Sequence, residues 1–263
     1  MLQAILHSKF GRAIKKGKFE HNEDSLTSSV IGLMQYLPDV LFWRILKGAC
    51  GRTTVELPDS IGLVLNYHFW ERFDAKDKKI KNKSTVEPDV WIETDMYDIL
   101  VEVKRSDNSG DNSQYEEQWT NQILSLLNSY GKEKPKPLIY IAIGGNDSLH
   151  DTTLQIGRNK YIIHTASWYL LLNAVLEEMN DNYLYNDQLY TRRVLFDIVQ
   201  AMQVHRIIKA TWLESLLKIK ISDNSDQNIY EIWDFDNSSI LTAIKQYHIT
   251  NKTDLSTIWT LTK

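Results

Sequence analysis

The sequence predicts an α/β fold in which a mixed central sheet is flanked by helices. Three observations predict it. The stretch Val86 to Arg105, VEPDVWIETDMYDILVEVKR, reads as two β-strands joined by a tight polar turn. Apolar stripes at helical spacing stand before and after it. The unbroken apolar run Leu138 to Ile143 has the composition of a strand covered on both faces. Leaving out a short strand candidate at Thr53 to Leu57, the order from Glu23 to Ile143 is helix, strand, hairpin, helix, strand.

The first helix runs from about Glu23 to Leu37, before Pro38, with Leu26, Val30, Leu33, Met34 and Leu37 as its buried stripe. Glu23 stands three residues before Leu26 and extends that stripe, which turns its carboxylate toward the sheet edge. The plainer account is that Glu23 and Asp24 favour the positive end of the helix dipole. An apolar stretch (Val40 to Leu46), a short strand candidate (Thr53 to Leu57) and a stronger one (Gly62 to Trp70) follow. The hairpin strands span about Glu87 to Glu93 and Tyr97 to Lys104, with Thr94–Asp95–Met96 between them. If Thr94 pairs with Tyr97, Asp89 lies directly opposite Glu102. Two carboxylates so placed repel each other unless something positive sits between them, and a divalent cation answers that need. Side-chain alternation puts Glu102 and Lys104 on one face and Val101 and Val103 on the other.

Ser106 to Ser113 is a polar, glycine-containing loop suited to a substrate-facing element. A helix from about Gln114 to Tyr130 carries Trp119, Ile123, Leu126, Leu127 and Tyr130 on its apolar face, with Gln118 and Gln122 on or beside it. After the strand Leu138 to Ile143, Tyr161 to His164 gives a fifth strand and Ala166 to Met179 a helix. Residues 1–180 are expected to form the core domain. Residues 181–263 form a mainly helical C-terminal appendage, with helices at Leu189 to Met202, Arg206 to Ile219 and Ser238 to Tyr247 and strands at Ile229 to Phe235 and Thr257 to Leu261. It suits a partner-binding or homodimerisation layer, or simple packing on the core.

With 263 residues, 43% of them hydrophobic, the chain can bury a sizeable core. Cys50 is its single cysteine, which excludes a disulfide framework and fits a reducing compartment. No apolar segment suits a signal peptide or a bilayer span, so the expected location is cytoplasmic, with no membrane partner. The seven histidines show no H-x-x-x-H spacing for zinc, and no Gly-x-Ser-x-Gly offers a serine nucleophile. Gly144–Gly145–Asn146 lacks the lysine of a phosphate loop and reads as a turn. The net charge of −4 hides two basic clusters. One contains Lys9, Arg12, Lys15, Lys16 and Lys18, the other Lys76, Lys78, Lys79, Lys81 and Lys83. Either is a solvated face or a phosphate-neutralising surface.

Pro88–Asp89, twelve residues, then Glu102–Val103–Lys104 resembles the signature of the PD-(D/E)XK nuclease superfamily, and the element order resembles the αβββαβ core of its restriction-endonuclease-like fold. The resemblance covers roughly residues 20–180. It implies a metal-dependent endonuclease that hydrolyses DNA phosphodiester bonds, with double-stranded DNA as the default substrate and bacterial defence or DNA processing as the setting. It further implies that Asp89, Glu102 and the Val103 carbonyl bind Mg²⁺, for which Mn²⁺ substitutes, and that Lys104 positions or activates the attacking water. Glu23, in a stretch similar to the superfamily's first-helix element, would reach the metal site. Gln118 would help hold the water or phosphate, beside Lys15, Lys16, Lys79, Lys81 and Lys83 as nucleic-acid contacts. Two other readings stay open: a nucleic-acid-binding or assembly subunit without cleavage, and an effector nuclease activated by a partner or signalling nucleotide.

Overall fold

The structure is a computed structural model, and it describes residues 2–7, 9, 14–15, 18–19, 21–51, 55–74, 85–107, 113–131, 133–180 and 189–208. The chain divides into two compact units, residues 1–210 and 211–263. The second unit, the lysines at 76–83, Lys16 and the side chain of Lys15 lie outside the described residues, as do the elements read beyond residue 208.

The first unit is an α/β structure. Its helices are α1 (Leu2–Leu6), α2 (Glu23–Met34), α3 (Asp39–Gly48), α4 (Glu116–Ser129), α5 (Trp168–Asn180) and α6 (Leu189–Val204). Two-stranded ribbons are formed by β1 (Ile14–Lys15) with β2 (Lys18–Phe19) and by β4 (Phe73–Asp74) with β5 (Thr85–Val86). The central sheet comprises β3 (Val64–Phe69), β6 (Val90–Thr94), β7 (Asp98–Val103), β8 (Leu138–Ile143), β9 (Thr152–Ile156) and β10 (Asn159–Ala166). Its order is β3-β6-β7-β8-β10-β9; β8 runs parallel to β7 and β10, and every other neighbouring pair is antiparallel. A parallel neighbour needs a crossover, and α4 supplies it between β7 and β8.

The hairpin register follows from the turn. Thr94 donates its N–H to the Tyr97 carbonyl, Glu93 faces Asp98, and Val90 faces Val101. One further step of that register sets Asp89 opposite Glu102. Alternation then separates the two layers. Ile92, Ile99, Val101, Val103 and Ile141 pack toward α2, α3, α5 and α6, whereas Leu100, Tyr140 and Ala142 pack with Trp119, Ile123 and Leu126 of α4. Each such side chain, fully buried, contributes about 1.5–3 kcal/mol. β7 and β8 are buried on both faces, as their near-continuous apolar composition requires.

Several elements differ from the sequence reading. The Val40 to Leu46 stretch is the core of α3, capped at its start by Pro38, whose carbonyl accepts from Leu41 and Phe42. The described residues of Thr53 to Leu57, 55–57, form no strand. β9 has no counterpart in the sequence reading because Thr-Thr-Leu-Gln-Ile buries only Leu154. α6 packs on α2 and α5 through Leu195, Ile198, Val199 and Met202, which belong to the main core. Among the described residues no helix is long and apolar enough to cross a membrane.

Candidate active site

The candidate residues meet at the C-terminal end of β7. Glu102 is almost fully buried, and its carboxylate accepts from Lys104 Nζ at 2.8 Å, from Gln122 Nε2 at 2.6 Å and from Gln118 Nε2. Gln118 and Gln122 stand one helical turn apart on α4 and so reach the same carboxylate. Gln122 is itself fixed, since the Tyr140 hydroxyl donates to its Oε1.

Asp89 lies just before β6. Its Oδ2 accepts the Val103 main-chain N–H at 2.8 Å and its Oδ1 accepts the Trp70 indole N–H at 3.3 Å. Burial first, then repulsion from Glu102, pushes the Asp89 carboxyl well above its ordinary range, against the pull of the Val103 N–H and Lys104. Glu23 enters from the other layer. Asn22 caps α2 by accepting the Ser25 N–H at 2.8 Å while its own N–H donates to Ser25 Oγ at 3.2 Å. That cap fixes the first turn, from which the Glu23 carboxylate comes within 3.9 Å of Lys104 Nζ. Burial raises the Glu23 carboxyl and Glu102 adds to this, while Lys104 and the Arg105 main-chain N–H oppose it.

Lys104 is thus one ammonium among three carboxylates. Burial alone would lower its pKa, but Glu102, Glu23 and Asp89 outweigh burial and raise it. Its main chain is clamped from three directions. The Lys104 N–H donates to the Ile143 carbonyl at 2.8 Å, and the Lys104 carbonyl accepts the Trp168 indole N–H at 2.7 Å. Gly144 turns there with φ +71°, and a Cβ on it would lie 2.6 Å from the Lys104 carbonyl oxygen, so only glycine fits. Asp107 closes the arrangement by capping α5, its two oxygens accepting the N–H groups of Trp168 at 2.7 Å and Tyr169 at 3.0 Å.

Glu23, Asp89, Glu102, Lys104 and Gln118 are therefore gathered at one place, with Val103 donating its N–H to Asp89. Lys15, Lys16, Lys79, Lys81 and Lys83 have no described side chains. Lys9, from the first basic cluster, pairs with Glu87. Sequence reasoning missed Trp70, Tyr140, Trp168, Asp107 and the support that Gly144 gives. The spacing of Gln118 and Gln122 was a usable signal for Gln122. Nothing local marks the other five. Among the described residues no group of three or more His, Cys, Asp or Glu side chains is drawn together to hold a metal ion. A cation here would rest on two carboxylates and main-chain oxygen.

The chain is 29% identical over 238 residues to the uncharacterized protein PM0110 of Pasteurella multocida (strain Pm70), a match that covers 82% of this chain and 85% of that protein. No family model and no solved structure matches it.

Proposed function

We propose that the chain is a metal-dependent phosphodiesterase that cleaves DNA, built on a restriction-endonuclease-like core of the PD-(D/E)XK type. The observation that carries the reading is the convergence of Asp89, Glu102 and Glu23 around Lys104 at the end of β7, with Lys104 Nζ 2.8 Å from Glu102 and 3.9 Å from Glu23 and Asp89 held by the Val103 N–H. With α3 and the β4–β5 ribbon set aside, the order α2, β3, β6, β7, α4, β8 supports the fold assignment.

The residues fit a divalent ion. Among the described residues the hydrogen bonds to the Asp89 oxygens come from N–H groups, one to each oxygen, which leaves a second lone pair on both for a cation. Hard carboxylate and carbonyl oxygens are the donors that Mg²⁺ and Mn²⁺ take. Asp89, Glu102 and the Val103 carbonyl would hold the ion, and Glu23 would contact a water bound to it. When bound, such an ion lowers the pKa of a water and offsets charge on a phosphorane-like transition state.

The chain's own groups do the rest. Gln118 and Gln122 fix the Glu102 carboxylate, and Tyr140 fixes Gln122. Lys104, 2.8 Å from Glu102 and 3.9 Å from Glu23, would orient the attacking water in line with the scissile bond.

A second reading, a nucleic-acid-binding or assembly subunit, draws on the 2.8 Å contact between Lys104 and Glu102, which would serve equally as a structural ion pair. Incubation of the purified chain with supercoiled plasmid, with and without Mg²⁺, separates the two. Mg²⁺-dependent nicking supports the enzyme. No cleavage with either Mg²⁺ or Mn²⁺ gives the lead to the binding subunit.

A further inference from the structure

Trp70 adopts a main-chain conformation that its side chain disfavours. Its φ of +51° lies in the left-handed region, where a bulky residue persists only if its surroundings hold it. Ending β3 does not require this, since glycine makes the same turn without strain. What tryptophan adds is its indole.

The indole N–H donates to Asp89 Oδ1 at 3.3 Å, and the main-chain N–H of the same residue donates to the Asp89 carbonyl at 3.0 Å. One residue thus holds both the backbone and the side chain of Asp89. The left-handed main chain and both hydrogen bonds to Asp89 occur together at this one residue. The ring is fixed in turn. His7 and Phe69 pack on it with centroids at 5.7 and 5.8 Å, and the Lys9 ammonium lies 5.7 Å from its centroid. Lys9 pairs with Glu87, two residues before Asp89, and Glu87 also accepts from Arg72 at 3.2 Å. With only 5% of its surface exposed, Trp70 offers no platform for a nucleobase, so it acts through Asp89.

We propose that Trp70 is a positioning residue for Asp89: its indole N–H and left-handed main chain fix the carboxylate opposite Glu102 in the orientation that accepts a divalent cation. This rests on the metal-dependent reading above. A tryptophan that merely packs would affect stability and leave metal affinity unchanged.

Trp70→Phe keeps an aromatic ring and removes the donor. Mn²⁺ and Mg²⁺ binding to the full chain is measured by titration calorimetry, with metal-free thermal melts of the same samples as the folding control. Wild type is expected to bind the ion, and folded Trp70→Phe to bind it about tenfold or more weakly, as loss of a hydrogen bond to a charged group implies. The Mg²⁺ concentration for half-maximal cleavage should rise by the same factor. Equal affinities overturn the inference and leave the metal-dependent reading standing. No binding by wild type overturns that reading and the inference together. If Trp70→Phe does not fold, benzothienylalanine inserted at position 70 keeps the ring shape and lacks the N–H, and the same outcomes decide.

Discussion

One hairpin carries two acidic cross-strand pairs, and the two ends treat them differently. At the turn end Glu93 faces Asp98. Glu93 accepts from Lys136 at 3.2 Å and Asn66 at 3.3 Å, and Asp98 accepts from the Trp91 indole at 2.9 Å and from the Tyr130 hydroxyl. The Asn66 bond, with Lys136 and His68, holds the Glu93 carboxyl below its ordinary range against the opposing effect of burial. At the other end Asp89 faces Glu102, and Lys104 serves Glu102 at 2.8 Å and Glu23 at 3.9 Å. Asp89 keeps only N–H donors and a raised pKa. The two pairs share hairpin, register and chemistry. What differs is the set of groups that neighbouring elements deliver: Lys136 serves Glu93, whereas Lys104 is shared between Glu102 and Glu23.

Cleavage should break the symmetry most. Asp89→Ala and Lys104→Ala should each lower Mg²⁺-dependent plasmid nicking by on the order of 10²–10³, the range for losing one preorganised charge-stabilising group. Glu93→Gln should leave the rate within about twofold. Calorimetry sharpens the contrast, because Lys104→Ala should still bind Mn²⁺ whereas Asp89→Ala should not.

Stability comes next. At a hundred times its dissociation constant, Mg²⁺ should stabilise wild type and Glu93→Gln by about 2.7 kcal/mol, and Asp89→Ala not at all. Thermal melts with and without the ion read this directly.

Without metal the two ends should respond to pH with opposite sign. The Asp89 carboxyl is raised above 3.8, so the folded chain holds that proton more tightly than the unfolded one. Its ionisation removes stability as pH rises from 3.8 through the raised value. Glu93 is lowered from 4.5, so its stabilisation is present above 4.5 and lost as pH falls through the lowered value. Metal-free Asp89→Asn should therefore gain on wild type as pH climbs toward neutrality, by about 2–4 °C if roughly 1 kcal/mol is involved. Glu93→Gln should gain on wild type only on the acid side. The smallest effect is at neutral pH, where Glu93→Gln should cost about 0.5–1 kcal/mol in urea melts because the pair is half-exposed.

The hairpin and its register were legible in the sequence; the contrast between its two ends was not. The Thr94–Tyr97 turn sets the register, and period-two alternation sorts Glu102 from Val101 and Val103, because both rules act between near neighbours. The apolar stripe of α2 likewise turned Glu23 toward the sheet edge, and the structure brings its carboxylate within 3.9 Å of Lys104 Nζ. The residues that distinguish the two ends come from far along the chain. Lys136 reaches Glu93 across 43 positions, and the Trp168 indole reaches the Lys104 carbonyl across 64. No spacing rule connects such positions. From the sequence, the charge conflict belonged to Asp89 and Glu102 jointly. The structure adds what surrounds each of them: three side-chain donors reach Glu102, whereas the Trp70 indole and the Val103 main-chain N–H reach Asp89.

The most direct measurement is an anomalous-difference map from crystals grown with Mn²⁺. It should show one peak between the carboxylates of Asp89 and Glu102, about 2.0–2.2 Å from their oxygens and from the Val103 carbonyl, and none between Glu93 and Asp98. A map with no peak at Asp89 and Glu102, or with equal peaks at both pairs, would contradict the assignment of the metal site to that end of the hairpin.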